Sequence, residues 1–465
     1  MVARRALLVI CLIAFAHGLF FIWYQRPDWN TEWTDQDGYR RLGHALATTG
    51  TFTRYPDSPV FVPEVLRTPL YPIFVAIVYR LAGESHMAVV VVQALCFAML
   101  CALVYAIARL VASEPIAVGA AAAAALYPPL PYFGALVMTE LWTALVFTAG
   151  MWAVVRALRR NTAPSFALAG VLLAAAGLSR PVFWLFPLAI ALVGLIVFPL
   201  LRVRPRPAPS RWIILLCAAA ITLSPWFAYN DVNFGQLTMS PAGGIGRGTW
   251  EGSWQAVWPG RLQAELTQAA EDAPNRSELD GRIEAIAGRE HLPSGPMLDY
   301  VHQWADIRRI WDAPQDPTER ARARVVADRE YLRAGLANLR SQSPGQLAKR
   351  FARGVFVLWA AEIPFRYSTI NQLPPMLIRI CWLLQALLMA AALYGLVVLA
   401  RTRRLLEACI LGAPLLYVTA VHVPLLTEAR QSLPAKPIVI VLAVIGVAHM
   451  IGRDHAFTSP GTAGS

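Results

Sequence analysis

Two aspartates, Asp35 and Asp37, follow the first long apolar run of the chain and open a polar stretch, TDQDGYRRLGHALATTG. Carboxylates beside a bilayer are costly to keep ionised, so they point to chemistry, ion handling or local capping. As chemistry, an aspartate there takes a proton from an attacking hydroxyl. Further along stand Arg67 two residues before Pro69, Glu140 early in an apolar run, Arg180 before Pro181, Asn230 at the end of another run, and Glu428 with Arg430. Arginine holds phosphate through paired hydrogen bonds, so acids and arginines at one membrane depth suit a reaction on a phosphorylated lipid head group. Each residue also has a plainer use. Asp35 and Asp37 suit a helix N-terminus, Arg67 and Arg180 can snorkel, Thr139 and Glu140 can open a helix, and Glu428 can pair with Arg430 alone. Their convergence on one face is what favours a site, and that depends on how the chain crosses the membrane.

The chain is 57% hydrophobic and 15% charged, with a mean hydropathy of +0.47, which places most of it in lipid. Apolar runs of spanning length lie near 6–24, 86–111, 115–135, 136–158, 165–181, 182–201, 211–229, 374–400, 405–425 and 434–452. Their short connections carry arginine asymmetrically: Arg4/Arg5, Arg109, Arg156/Arg159/Arg160, Arg202/Arg204/Arg206/Arg211 and Arg401/Arg403/Arg404 fall at alternate ends. The positive-inside rule assigns these to the cytoplasm. Ten spans then close the parity, with both termini inside and residues 25–68 and 230–373 outside. Two short apolar stretches, 69–83 and 351–363, are read as interfacial or re-entrant helices; counting both as spans would make twelve. The expected fold is an all-α polytopic membrane protein of about 10 (10–12) transmembrane helices.

The outer segment from Asn230 to Arg350 carries 15 of the 41 basic and 16 of the 29 acidic residues. The excess of +12 therefore belongs to the membrane part, where it signals topology and not nucleic-acid binding. This segment reads as a mostly helical extracytoplasmic insert, with a helix over Thr318–Leu339 and Trp250, Trp254 and Trp258 near the membrane interface. The division expected is an N-terminal transmembrane module 1–229 with a catalytic outer loop 25–68, an insert 230–373, a C-terminal module 374–452, and a cytoplasmic tail 453–465. Arg4 and Arg5 before the first apolar run read as an uncleaved signal anchor. All six cysteines lie in apolar segments, which implies no disulfide framework. His17, His44 and His422 form no spaced ligand set, and no phosphate-binding glycine loop or nucleophile elbow is present.

These pieces, in this order, resemble the C superfold of membrane glycosyltransferases, specifically bacterial members similar to protein O-mannosyltransferases and aminoarabinose transferases. The resemblance rests on Asp35-x-x-x-Tyr39 with its LGHALATTG helix, Arg67-Thr68-Pro69-Leu70-Tyr71-Pro72 and Met138-Thr139-Glu140. Leu178-Ser179-Arg180-Pro181, Ser224-Pro225-Trp226 with Asn230 and Phe234-Gly235, and Arg430-Gln431-Ser432-Leu433-Pro434 complete it. Six pieces in order span nearly the whole membrane part, although none is specific alone. Arg67-Thr68-Pro69 stands where close relatives often carry Lys-Pro-Pro.

The resemblance implies a sugar donor linked to polyprenyl phosphate and a catalytic acid on the first outer loop. Asp35 inherits that role by its spacing to Tyr39, with Asp37 as understudy. Arg67 falls on the position that contacts donor phosphate, Glu140 on the second acid, and Arg180 and Arg430 on phosphate or sugar contacts. Asn230 carries over least well. The implied reaction is an inverting transfer to a hydroxyl of a lipid, glycan or protein, at the outer face of a bacterial inner membrane. The two aspartates leave room for a divalent metal, magnesium or manganese. The rival classes are a multispan transporter or flippase, which would place charges midway along spans in repeated halves, and a glycan ligase.

Overall fold

The computed structural model describes residues 2–29, 35–203, 206–258, 260–312 and 314–452. The expected tail 453–465 and Arg204 of the arginine cluster lie outside them. Nineteen α-helices follow in order. They are α1 (Val2–Gln25), α2 (Asp35–Thr48), α3 (Leu70–Ala82), α4 (His86–Val111), α5 (Glu114–Ala125), α6 (Pro129–Gly134), α7 (Thr139–Arg160), α8 (Ala163–Ser179) and α9 (Phe186–Leu192). After the last, a π-turn at Val193–Val197 carries the chain on to Leu200. The series continues with α10 (Pro209–Phe234), α11 (Ile245–Trp254), α12 (Gly260–Asp272), α13 (Arg276–Glu290), α14 (Ser294–Asp312), α15 (Pro317–Ser341), α16 (Pro344–Ala360), α17 (Pro375–Arg401), α18 (Leu405–His422) and α19 (Lys436–Met450).

Among the described residues, eight helical segments are long and apolar enough to cross a membrane: Ala3–Gln25, His86–Val111, Thr139–Arg160, Pro181–Leu200, Pro209–Phe234, Pro375–Arg401, Leu405–His422 and Ala429–Met450. The other two expected spans are shorter helices, α5 and α8. The 115–135 run is interrupted after Ala125 and resumes as α6 at Pro129, because the prolines at 128, 129 and 131 remove amide donors that a continuous helix requires. The stretches 69–83 and 351–363 become α3 and α16. Helix α16 is amphipathic and opens with a capping box between Ser343 and Gln346.

Helix ends confirm which arginines share a level. Arg159, at the end of α7, donates to the carbonyl of Leu110, and Arg404 donates to that of Val111 and pairs with Glu407 at 2.8 Å. Three of the five arginine clusters are thereby represented at one end of the bundle, as alternate placement requires. Close packing is achieved by small residues, as is usual where lipid supplies no drive for helix association. A Cβ on Gly395 of α17 would lie 2.0 Å from the carbonyl oxygen of Leu442 in α19, and one on Gly170 of α8 would lie 2.2 Å from that of Leu215 in α10.

Helices α11–α15 make the insert, and the helix expected over 318–339 is α15. The tryptophans correct the expectation set for them. Trp250, Trp254 and Trp258 are 2%, 7% and 6% exposed and form the insert's own core with Leu262, Leu266, Tyr300, Val301 and Tyr331. An insert of this size needs an apolar centre, and stacked indoles supply more of it than a membrane-facing belt would leave. The insert is tied at both ends to the loops it flanks. Ala242 donates to the carbonyl of Val65 at 3.0 Å, Leu426 donates to that of Gly248 at 2.7 Å, and the buried Arg350 donates to the carbonyls of Gly252 and Pro424.

One buried acid sits where α16 gives way to the loop before α17. Glu362 is 1% exposed, one oxygen accepts from the Ile363 amide at 3.2 Å, and the other has no hydrogen-bond partner. Burial pushes its pKa up to about 8, against the pull of the Lys436 charge and the Ile363 amide. Lys436, fully buried, donates to the Trp359 carbonyl and to Gln385.

Two outcomes follow from this packing. Gly395→Val is expected to lower the thermal midpoint of the detergent-purified protein by about 1–3 °C, since overpacking costs on the order of 1–3 kcal/mol and a chain of this length shifts by roughly 1 °C per kcal/mol; an unchanged melting curve contradicts the close approach of α17 and α19. The folded protein also holds the Glu362 proton to higher pH than the unfolded chain does, so the contribution of Glu362 to stability falls as pH rises from about 5 to 8. The difference between the wild-type and Glu362→Gln pH–melting profiles should therefore change across that range, and a constant difference refutes the assignment.

Candidate active site

Helix α2 begins at Asp35 and places its first turn against the loop that carries Arg67. Gly38 makes this approach workable, because a Cβ there would lie 2.3 Å from the guanidinium carbon of Arg67. The Arg67 guanidinium lies over the Tyr39 ring, 4.8 Å from its centroid, and its Nη2 reaches Asp35 Oδ1 at 3.2 Å. Behind it, Glu64 is 2% exposed, pairs with Arg54 at 2.5 Å, stands 4.0 Å from Arg67 Nη1, and accepts from the Leu66 amide at 2.8 Å. Burial draws the Arg67 pKa down, but Glu64, Tyr39 and Asp35 outweigh it and hold the guanidinium above its ordinary value. Burial raises the Tyr39 phenol despite Arg67, so it stays protonated.

The neighbouring span end is clamped to the same helix. Gln36 accepts from the Val137 amide at 2.9 Å, just ahead of α7. Buried Gln93 holds the carbonyls of Gly134 and Leu136 at 2.8 and 2.7 Å and accepts from the Tyr71 hydroxyl at 2.7 Å. These bonds fix Glu140 in the first turn of α7. Its carboxylate is 2% exposed, with Oε1 3.4 Å from Arg180 Nη1 and 3.5 Å from Arg430 Nη1. Arg430 pairs with Glu428 at 2.9 Å and lies 3.8 Å from Asp35 Oδ2. Asp35, 48% exposed, is thus the accessible carboxylate between two largely buried guanidiniums.

Most of the expected residues are brought together: Asp35, Tyr39, Arg67, Glu140, Arg180, Glu428 and Arg430 form one chain of contacts. Asp37 takes another side of α2, as a residue two positions along a helix does, and pairs with Arg41 at 2.8 Å. Asn230 is fully buried and donates to the Thr238 carbonyl at 2.7 Å, closing the turn after α10. Among the described residues no three His, Cys, Asp or Glu side chains gather as a metal-ligand set. Sequence reasoning passed over Glu64, Arg54, Gly38 and Gln36. An acid three residues before Arg67 and a glycine three after Asp35 were the available signals.

The family described as dolichyl-phosphate-mannose-protein mannosyltransferase matches residues 66–229, a segment holding Arg67, Glu140 and Arg180. No curated protein matches the chain in sequence. The oligosaccharyltransferase AglB of Archaeoglobus fulgidus, in complex with an inhibitory peptide and a dolichol-phosphate, aligns with 99% of this chain and 52% of its own at 14% identity and a TM-score of 0.54. The apo form of the Archaeoglobus fulgidus oligosaccharyltransferase aligns with 98% and 51% at 13% identity and 0.55. ArnT from Cupriavidus metallidurans, bound to undecaprenyl phosphate, aligns with 95% and 77% at 15% identity but a TM-score of only 0.38. The chain spans about half the length of the archaeal oligosaccharyltransferase. The match over about a third of the chain and the fold of the whole agree: this multi-pass membrane protein has the membrane fold of the archaeal oligosaccharyltransferase, and its residues 66–229 match the mannosyltransferase family.

Proposed function

We propose that the protein is an inverting glycosyltransferase that moves a sugar from a polyprenyl-phosphate donor to an acceptor hydroxyl. The observation that carries this reading is the half-exposed carboxylate of Asp35 set between Arg67 and Arg430, at 3.2 and 3.8 Å. In the reaction, the acceptor oxygen attacks the anomeric carbon while its proton passes to Asp35. The bond from that carbon to the phosphate oxygen breaks, and its electron pair stays on the phosphate. Guanidiniums aimed at the leaving phosphate stabilise the charge it gains, so departure needs no strong general acid. Arg67, Arg180 and Arg430 are the candidates for that contact. Glu140, buried between two of them, acts as a positioning residue. The acceptor is a lipid, glycan or protein hydroxyl, and a divalent metal is not required by this scheme, though chelation in the assay tests it.

The positive-inside distribution supports an active site on the outer face of a bacterial inner membrane. A transporter reading is less favoured because the charges gather at one rim of the bundle.

The test is transfer from radiolabelled polyprenyl-phosphate sugars to a membrane extract by purified protein. Asp35→Asn should lower turnover by about 10²–10⁴-fold, the usual worth of a general base, while Asp37→Asn stays within about twofold of wild type. Equal loss in both, or none in either, removes Asp35 from the role. Gly38→Ala should displace the Arg67 guanidinium and raise the donor KM by about tenfold, the equivalent of one charge-assisted hydrogen bond; a normal donor KM would show that Arg67 does not bind phosphate.

A further inference from the structure

A cavity of about 510 Å³ opens on the exposed side of α2, away from Asp35. Asp37, Arg40, Arg41 and His44 form its wall, a spacing that puts all four on one helical face. The loop through Tyr55 and Ser58 faces them, and Asp316 of the insert closes the rim. A second space of about 140 Å³ shares Asp37, Arg41, Arg54 and Tyr55 with the first and reaches Gly38 and Arg67. The two spaces adjoin along these shared residues, marking a path whose inner end is Arg67. That side chain is 9% exposed, holds Asp35 through Nη2 and faces Glu64 through Nη1 at 4.0 Å.

We propose that this path is a saccharide subsite for the acceptor of the transfer reaction, an inference that rests on the function proposed above. Much of the wall's charge is paired: Asp37 with Arg41 at 2.8 Å, His44 with Glu84 at 2.8 Å, and Arg54 with Glu64 at 2.5 Å. Its carboxylates Asp37, Asp57, Glu84 and Asp316 stand against Arg40, Arg41, Arg54 and His44. That balance presents donors and acceptors together with little net field, which suits a neutral, hydroxyl-rich ligand better than a phosphate. The Tyr55 ring adds a flat apolar face for sugar C–H groups, and the volume lies in the range of small-molecule sites, roughly 300–1,000 Å³. The Arg67 guanidinium forms the inner end. A hydroxyl-bearing chain seated there lies against the residue that also positions Asp35.

Two measurements on the full-length protein in detergent test this. Saturation-transfer difference NMR with methyl α-mannoside, N-acetylglucosamine and inorganic phosphate reads binding without turnover. The glycosides are expected to give a signal that falls about tenfold in Ser58→Trp, which fills the cavity, and in His44→Ala. In transfer assays the same variants should raise the acceptor KM by about tenfold, with donor KM and donor hydrolysis by water unchanged. A glycoside signal that survives Ser58→Trp, a phosphate signal lost in its place, or a rise in donor KM would each overturn the subsite. Loss of glycoside binding in Ser58→Trp alongside intact transfer in Asp35→Asn would keep a saccharide site and refute the catalytic reading, so the two failures are distinguishable.

Discussion

Everything in the charged cluster depends on buried carboxylates holding arginines in place. Glu64 fixes Arg54 and Arg67, Glu140 spans Arg180 and Arg430, and Asp35 joins the two groups. At the low dielectric of such a site, removing one member strands a charge and costs about 3–5 kcal/mol, far more than an exposed pair returns. The arrangement is thus rigid where it is buried and open only at Asp35. It presents guanidiniums whose charge is partly neutralised by their carboxylate partners.

The scaffold supplies what ion pairs cannot, namely register. Residues of the cluster come from α2, the loop before α3, the first turn of α7, the end of α8 and the segment before α19. No two of these elements would hold an Å-scale relation without further ties. Gln36 and Gln93 tie α2 and α4 to the chain entering α7, and Gly38 allows the Arg67 loop to approach. The insert fastens itself to the Val65 and Leu425 regions, so its position bears on both arginines that face Asp35. The charged cluster gains precision from a polar insert that would otherwise be dispensable to spanning.

Much of the architecture was legible from residues alone. Hydropathy and alternating arginines located the spans, because lipid admits only helices with satisfied backbones and positive charge stays on one side. The motif order around Asp35, Arg67, Glu140, Arg180 and Arg430 pointed to one face, and the contacts unite them. The 115–135 run, read as one span, splits into α5 and α6 at its prolines. The tryptophans of the insert could not be read in this way: an aromatic near a membrane segment suits an interfacial belt as well as a core, and only the packing of α11, α14 and α15 distinguishes the two.

By itself the sequence determined the helical class, the approximate spans, the separate polar insert and the identity of the charged residues able to do chemistry, since these follow from local composition and period. The tertiary structure alone decided that Asp35 and not Asp37 meets arginine, that Glu140 is buried between two guanidiniums, and that Asn230 closes a turn elsewhere. The reason is physical: which side of a helix a carboxylate occupies, and what faces it, is set by contacts between segments up to hundreds of residues apart, and no local pattern encodes that pairing.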